Sequence, residues 1–410
     1  MEKSESTLYG NEERSIVAAE AVLQNEQYLG SPLLSSYASL LQQYKNMFKQ
    51  LRRLIRLSDK QQEKLNYLNG QLEIANSLIR KTFGRYLSDE VVRDILSSEG
   101  VVLGGETRLV TILMSDLRGF TAMSESLPAE TVMNIINIYL SMMTDIIINY
   151  NGTVIEFIGD SIFVIFGAPV CRDDDARRAT ACAIEMQKAM KDVNRHCRER
   201  GYPEVEQGIG LNTGELVVGN IGSDKRTKYG AVGKNVNLTA RIESYTLGGQ
   251  IFMSESTLDA CGPILKIVTS QEVRPKGIKR PITIYEVSGI SGGFDIYLPD
   301  KAPEKMKDLF PGLAVRISIL EDKHTGEEAY EGTIIKLSAR AAFIRSEVKV
   351  ERFWNLKLVL IDSDGKEIDE DVYAKVTESH AESQTTFNVH FTSMPFMIRN
   401  FLNKTFLDAV

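Results

Sequence analysis

The chain is poor in cysteine and histidine, with four of each in 410 residues. Cys171, Cys182, Cys197 and Cys261 lie far apart and form no Cys-x-x-Cys pair. That excludes a disulfide framework or a thiolate zinc site and fits a reducing compartment. No two histidines stand at helical ligand spacing. No apolar run reaches the roughly 18–20 residues of a membrane span, and the polar, acidic N-terminus does not read as a signal peptide. The cytoplasm is therefore the expected location. A net charge of −7 argues against a general nucleic-acid binder. There is no Gly-x-x-x-x-Gly-Lys-[Ser/Thr] loop, and Gly208, Gly210 and Gly214 have the wrong spacing for a dinucleotide turn.

What is present is an ordinary globular composition, 43% hydrophobic and 25% charged, in a chain long enough for two to three domains. Two apolar runs each carry one aspartate. The first is Leu109 to Thr121 with Asp116, and the second is Thr153 to Gly167 with Asp160. Both read as buried strands, rich in β-branched and aromatic residues and bounded by Gly or Asn. A carboxylate inside such a run is costly unless paired. Each Asp alone reads equally well as a strand-end residue. Together, on strands separated by one helix, they suit a shared divalent cation. The Gly119-Phe120-Thr121 turn after the first strand would offer backbone N–H groups to phosphate oxygens.

Read in order, residues 1–32 form a polar N-terminal arm or short helix. Over 33–82, Leu34, Tyr37, Leu41, Tyr44, Phe48, Leu51 and Ile55 recur in steps of three and four, and Leu65, Leu68, Leu72, Ala75 and Ile79 resume the pattern. This is a coiled-coil seam, or one amphipathic helix packed on its own domain. A connector helix over 83–106, capped at Ser88, precedes an α/β domain over 107–290. In it, helices are expected over 128–150, 173–200 and 236–246, and strands over 205–212, 215–221 and 282–287. Asn151-Gly152 reads as a hairpin turn. The Ser-Gly-Ile-Ser-Gly-Gly run at 288–293 reads as a linker. Residues 297–410, with short alternating strands and a helix near 395–404, read as a small β-barrel.

Three blocks make a resemblance specific. Asp116-Leu-Arg-Gly-Phe-Thr, Phe157-Ile-Gly-Asp160-Ser with Phe166-Gly-Ala-Pro169, and Gly233-Lys-Asn-Val-Asn237-Leu-Thr-Ala-Arg241 resemble, in order and separation, the class III nucleotide cyclases over about 107–290. The resemblance implies a ferredoxin-like α+β palm that works as a homodimer with shared active sites. It implies two Mg²⁺ or Mn²⁺ ions per site on Asp116 and Asp160, with Asn237 and Arg241 supplied by the other subunit. Four residues apart on a helix, those two project on one face. Lys225 and Arg226, and Lys276 and Lys279, sit where the family has basic residues near the triphosphate; solvated surface charge is the alternative for both sets.

The base-recognition positions of the family fall on Glu156 and Gly230. A carboxylate suits the N1–H and N2–H₂ donors of guanine and would repel adenine N1. Gly230 offers no side chain, and Glu156 has the alternative of pairing with a lysine. GTP is favoured, with ATP the alternative substrate. The C-terminal region resembles a degenerate PilZ domain, from Glu331-Gly-Thr-Ile-Ile-Lys-Leu-Ser338-Ala-Arg340 and Phe391-Thr-Ser-Met-Pro. It lacks the double-Arg arm, and Lys336 and Ala341 replace two ligand-loop residues, so a structural or protein-contact role is expected rather than cyclic di-GMP binding. A catalytically weak signalling module is the reading of a different class. No Gly-Gly-[Asp/Glu]-Glu-Phe stretch suggests a diguanylate cyclase.

Overall fold

The computed structural model describes residues 9–28, 31–83, 103–223, 225–275, 277–278, 280–300, 304–321, 324–362, 365–381 and 385–403. The expected connector helix, with its Ser88 cap, and both Lys276 and Lys279 lie outside these residues. The chain divides into two compact units, 1–86 and 87–410.

In the first unit, α1 (Gly10–Leu23) packs on the long helix α2 (Leu34–Phe83). The rings of Tyr9 and Phe48 meet edge to face at 5.6 Å, and the Arg52 guanidinium lies 5.2 Å above Tyr9. Arg52 pairs with Glu13 at 2.8 Å, and Lys45 pairs with Glu20. Leu41 and Phe48 of the expected seam are thereby buried within the chain, whereas Leu65, Leu68 and Leu72 are exposed. Tyr44 and Leu51, in the first half of the seam, are exposed as well.

The second unit opens with β1 (Gly104–Leu117), then α3 (Phe120–Ser126), α4 (Ala129–Asn149), β2 (Thr153–Ile158), β3 (Ser161–Phe166) and α5 (Asp175–Glu199). It continues through β4 (Gln207–Ser223), β5 (Arg226–Val232), α6 (Lys234–Ser244), β6 (Ile251–Ser254), α7 (Glu255–Cys261), β7 (Leu265–Val273), β8 (Ile282–Ile290) and β9 (Ile296–Tyr297). The nine strands form one mixed sheet whose main path is β2-β3-β1-β4-β6-β8-β7. Among the described residues, only β4 and β6 pair in parallel. This is a palm with two long helices on one face.

Strand alternation sorts the residues of β1. Leu113 and Leu117 join the core beneath α4 and α5, with Ile135, Tyr139 and Met143. Val110, Ile112 and Met114 face the other way, with Phe163, Leu216 and Val218. Asp116 continues this second set, on the face opposite the helices. α4 is long and apolar enough by composition to cross a membrane, although it holds no uninterrupted apolar run of that length. Its Val132, Ile135, Tyr139, Met143 and Ile147 stripe is buried, as in a core helix.

Several sequence expectations need correction. The apolar run 153–166 is two strands, and its hairpin turns at Gly159 and Asp160. Gly159 adopts φ +65° there, so Asp160 sits in a tight turn rather than inside a strand. Asn151-Gly152 instead ends α4: Asn151 adopts φ 55°, and both its N–H and that of Gly152 return to helix carbonyls. The two strands expected over 205–221 are one continuous strand, because Gly210 and Gly214 lie in the ladder with β1 rather than in a turn. The 288–293 linker is half strand, since β8 runs to Ile290 and pairs with β9.

Residues after 304 form a closed six-stranded barrel ordered β10-β11-β12-β15-β14-β13. These are β10 (Lys307–Glu321), β11 (His324–Leu337), β12 (Ala341–Ser346), β13 (Asn355–Ile361), β14 (Glu367–Ala381) and β15 (Thr385–Ser393), followed by α8 (Phe396–Leu402). The alternating pattern of these strands packs Ile317, Ile344, Leu358, Val376 and Phe387 into its interior.

Candidate active site

Asp116 and Asp160 meet at one end of the palm. The Leu117 N–H donates to Asp160 Oδ2 at 3.0 Å, and Ser161 Oγ donates to the Ser115 carbonyl at 2.9 Å. These two bonds stitch the β2–β3 turn to the end of β1. Ser115, on the opposite face, is held by Tyr139 at 3.0 Å, and Tyr139 donates in turn to Gln207. Asp116, Asp160, Gly119, Phe120 and Thr121 line one cavity of about 430 Å³.

Gly119 caps α3 with φ +69°, and a Cβ there would stand 2.5 Å from the Thr392 carbonyl oxygen of the barrel. Both the backbone conformation and the close approach require glycine. Arg118 is buried and bonds Asp116 Oδ1 at 2.8 Å and Glu243 at shorter range. Burial works against its charge, but Glu243 and Asp116 outweigh burial and hold it protonated.

Burial, and then the charge of Asp116, push the Asp160 carboxyl up to about 6. Two carboxylates sharing a partly desolvated site behave this way even with Arg118 bonded to one of them, and a divalent cation relieves the penalty. Among the described residues no cluster of three or more His, Cys, Asp or Glu is present. The donor set is therefore a carboxylate pair, with one oxygen of each engaged by Arg118 or by the Leu117 N–H. That set fits Mg²⁺ or Mn²⁺, which take hard oxygen ligands and complete their shell with water and phosphate.

The remaining candidates lie elsewhere. Asn237 and Arg241 are exposed, one turn apart on α6, and do not line the cavity. Asn237 is inside the helix, which starts at Lys234, so it is not the cap residue. Lys225 and Arg226 are exposed at the β4–β5 hairpin, also off the cavity. Gly230 pairs with Gly219 and faces Ile221. Glu156 is paired with Lys228 at 2.9 Å, both side chains about half exposed, which is the lysine pairing left open by the sequence.

Arg118, Glu243 and Lys375, all at the cavity, were not singled out from the sequence. Lys375, on β14, is buried and donates to the carbonyls of Ser244 at 2.5 Å and Thr246 at 3.0 Å. Burial drives both buried partners toward neutrality, Glu243 upward and Lys375 downward. Position was the one signal available for Arg118 and Glu243, each two residues from a motif residue.

In the barrel, Lys336 pairs with Asp308 at 3.0 Å and Arg340 with Glu206 of the palm at 3.3 Å. Ser338 Oγ accepts the N–H groups of Arg340 and Ala341. Among the described residues, positive φ outside glycine is confined to Asn151, Asp295 and Phe353, so Ala341 is tolerated where it stands.

A palm with a carboxylate pair beside a glycine-started helix defines a class, and residues 104–289 match the adenylate and guanylate cyclase catalytic domain. This stretch of the chain is a catalytic domain of that family. Among its relatives, adenylate cyclase 1 of Rhizobium meliloti is 30% identical over 231 residues, covering 55% of this chain and 34% of that one. The adenylate cyclase of Anabaena cylindrica is 29% identical, over 54% of this chain and 46% of its own. The chain spans a third to a half of the length of these relatives. Among solved structures, the guanylyl cyclase Cya2 is 52% identical, covering 48% of this chain and all of that chain, with a TM-score of 0.47.

Proposed function

We propose that the chain is a homodimeric nucleotide cyclase that converts GTP to its 3′,5′-cyclic monophosphate and pyrophosphate. The observation that carries this reading is a division of the motif residues. Asp116 and Asp160 share a cavity that Asn237 and Arg241 of the same chain do not line. A site completed by a second copy explains why those two lie exposed on one face of α6. Exposed Phe157, Ile158, Ile221 and Val232 on the palm strands supply apolar surface for such a pairing.

In the reaction, the ribose 3′-oxygen attacks the α-phosphorus. The bond from that phosphorus to the oxygen bridging to the β-phosphorus breaks, pyrophosphate leaves, and the 3′-hydroxyl proton passes to solvent. Asp116 and Asp160 would hold two divalent cations, whose chemistry there is to lower the charge on the phosphates and favour the ionised hydroxyl. The N–H groups at the Gly119 turn face the phosphate oxygens. Arg241, from the partner, holds the charge that builds on the α-phosphate oxygens, with Asn237 orienting the ribose end.

Glu156 supports guanine: its ion pair with Lys228 keeps a carboxylate acceptor at the motif position. The same pair favours a second reading, because the Lys228 ammonium is a donor that suits adenine N1. The curated relatives bear the name adenylate cyclase. The test is product formation by the purified full chain from GTP and from ATP, each with Mg²⁺ and with Mn²⁺. Cyclic GMP as the main product supports Glu156 as the base reader. Cyclic AMP as the main product gives that role to Lys228 or to the pocket shape. No product from a folded dimer refutes the cyclase reading and leaves a signalling module. The barrel, on this account, is PilZ-like in build and holds protein rather than cyclic di-GMP, since Lys336 and Arg340 are engaged by Asp308 and Glu206.

A further inference from the structure

The barrel reaches into the catalytic domain at the last turn of α6. Along β14, Val372, Ala374 and Val376 fill the barrel interior, so by alternation Lys375 points out of it. It is nevertheless 3% exposed, because the palm covers it. Its Nζ donates to the carbonyl of Ser244, which the helix end leaves unsatisfied, and to that of Thr246 just beyond the helix. Phe353 supplies a second anchor. Its backbone adopts φ 72°, and its ring meets Tyr245 edge to face at 5.1 Å, beside Ile242 and Phe252. Two barrel residues thus grip the turn that follows Arg241.

We propose that Lys375 is a positioning residue: by fixing the end of α6, it sets the placement of the Arg241 that each subunit lends to its partner's active site. The inference rests on the shared-site reading above. A helix is stiff over one turn, so a tilt released at Ser244 is carried to Arg241. Lys375 lines the cavity of its own subunit, but its hydrogen bonds go to the end of α6. Its effect is on the rate of the step and not on the affinity for nucleotide. The competing route runs through Glu243 and Arg118 to Asp116 of the same subunit. The two routes act on different sites of the dimer, which makes them separable.

The experiment uses full-length chains carrying two different affinity tags, with heterodimers purified from co-expression. One chain bears Asp160→Ala and the other Arg241→Ala, so one intact site remains. It is built from the aspartates of the Arg241→Ala chain and the arginine of the Asp160→Ala chain. Lys375→Met, similar in length and uncharged, is then added to either chain. On the Asp160→Ala chain it is expected to lower kcat at least about tenfold with KM nearly unchanged, since a misplacement of about 1 Å can cost roughly a hundredfold. On the Arg241→Ala chain, where Lys375 lines the cavity of the intact site, any loss of kcat is expected to be several-fold smaller. The second placement carries the same substitution, so a general folding defect appears in both. Equal loss in both placements, loss in the Arg241→Ala chain alone, or no loss in either overturns the proposal. An inactive heterodimer without Lys375→Met strikes the shared-site reading itself and removes the basis of this one.

Discussion

At the scale of single residues, the site is an exercise in bringing like charges together. Asp160 is drawn to Asp116 by one backbone hydrogen bond from Leu117, at the expense of a raised carboxyl pKa. A residue held this way has its purpose in what it binds. Asp160→Ala is expected to abolish cyclic-nucleotide formation while light scattering still reports a dimer; an active variant with Mg²⁺ would refute the metal assignment. Glu156→Lys is expected to shift the ratio of GTP to ATP turnover toward ATP, read by product chromatography; an unchanged ratio would remove Glu156 from base recognition.

The two aspartates were legible because a charge in an apolar run stands out. The turn holding Asp160 was not, because Gly159-Asp160 is a two-residue break inside a run that otherwise reads as one strand. Lys375 left no mark at all. A lysine at an outward strand position is the commonest thing in a barrel, and only the neighbouring domain makes it special.

At the scale of elements, the helix start at Gly119 and the barrel edge at Thr392 are fitted to each other. Gly119→Ala would strain a left-handed residue and press a methyl group on a carbonyl. It is expected to destabilise the chain by about 1–3 kcal/mol, measured by urea unfolding, and to lower turnover. A second element effect is set by His390 on β15. Burial lowers its pKa from the ordinary 6.5; Glu206 and Glu304 oppose this and Arg340 adds to it. Between the two values the unfolded chain binds more protons, so stability is full above about pH 6.5 and declines as pH falls through that value. His390→Gln is expected to flatten the unfolding midpoint between about pH 8 and about pH 5; an unchanged slope would assign the acid sensitivity elsewhere.

Element types were mostly readable from periodicity, helices above all. Asn151-Gly152 misled because the same left-handed residue serves a hairpin and a helix end. Strands β5, β6, β7 and β9 were missed, being short or polar, with pairing that depends on distant partners. Leu41 and Phe48 of the α2 seam are buried within the chain, a packing that the repeat in α2 cannot announce.

At the scale of the molecule, on the proposed reading one active site is the joint property of two chains and the barrel braces what each chain lends. Function then depends on association, so specific activity is expected to rise with protein concentration near the dimer dissociation constant. The most direct test mixes Asp160→Ala with Arg241→Ala full-length chains, each inactive alone, under conditions that allow exchange. Random pairing of a two-fold dimer gives half heterodimers, each with one intact site, so about a quarter of wild-type activity should return. Recovery near that level is the result the account predicts. A mixture as inactive as its components, with exchange shown to have occurred, would contradict it.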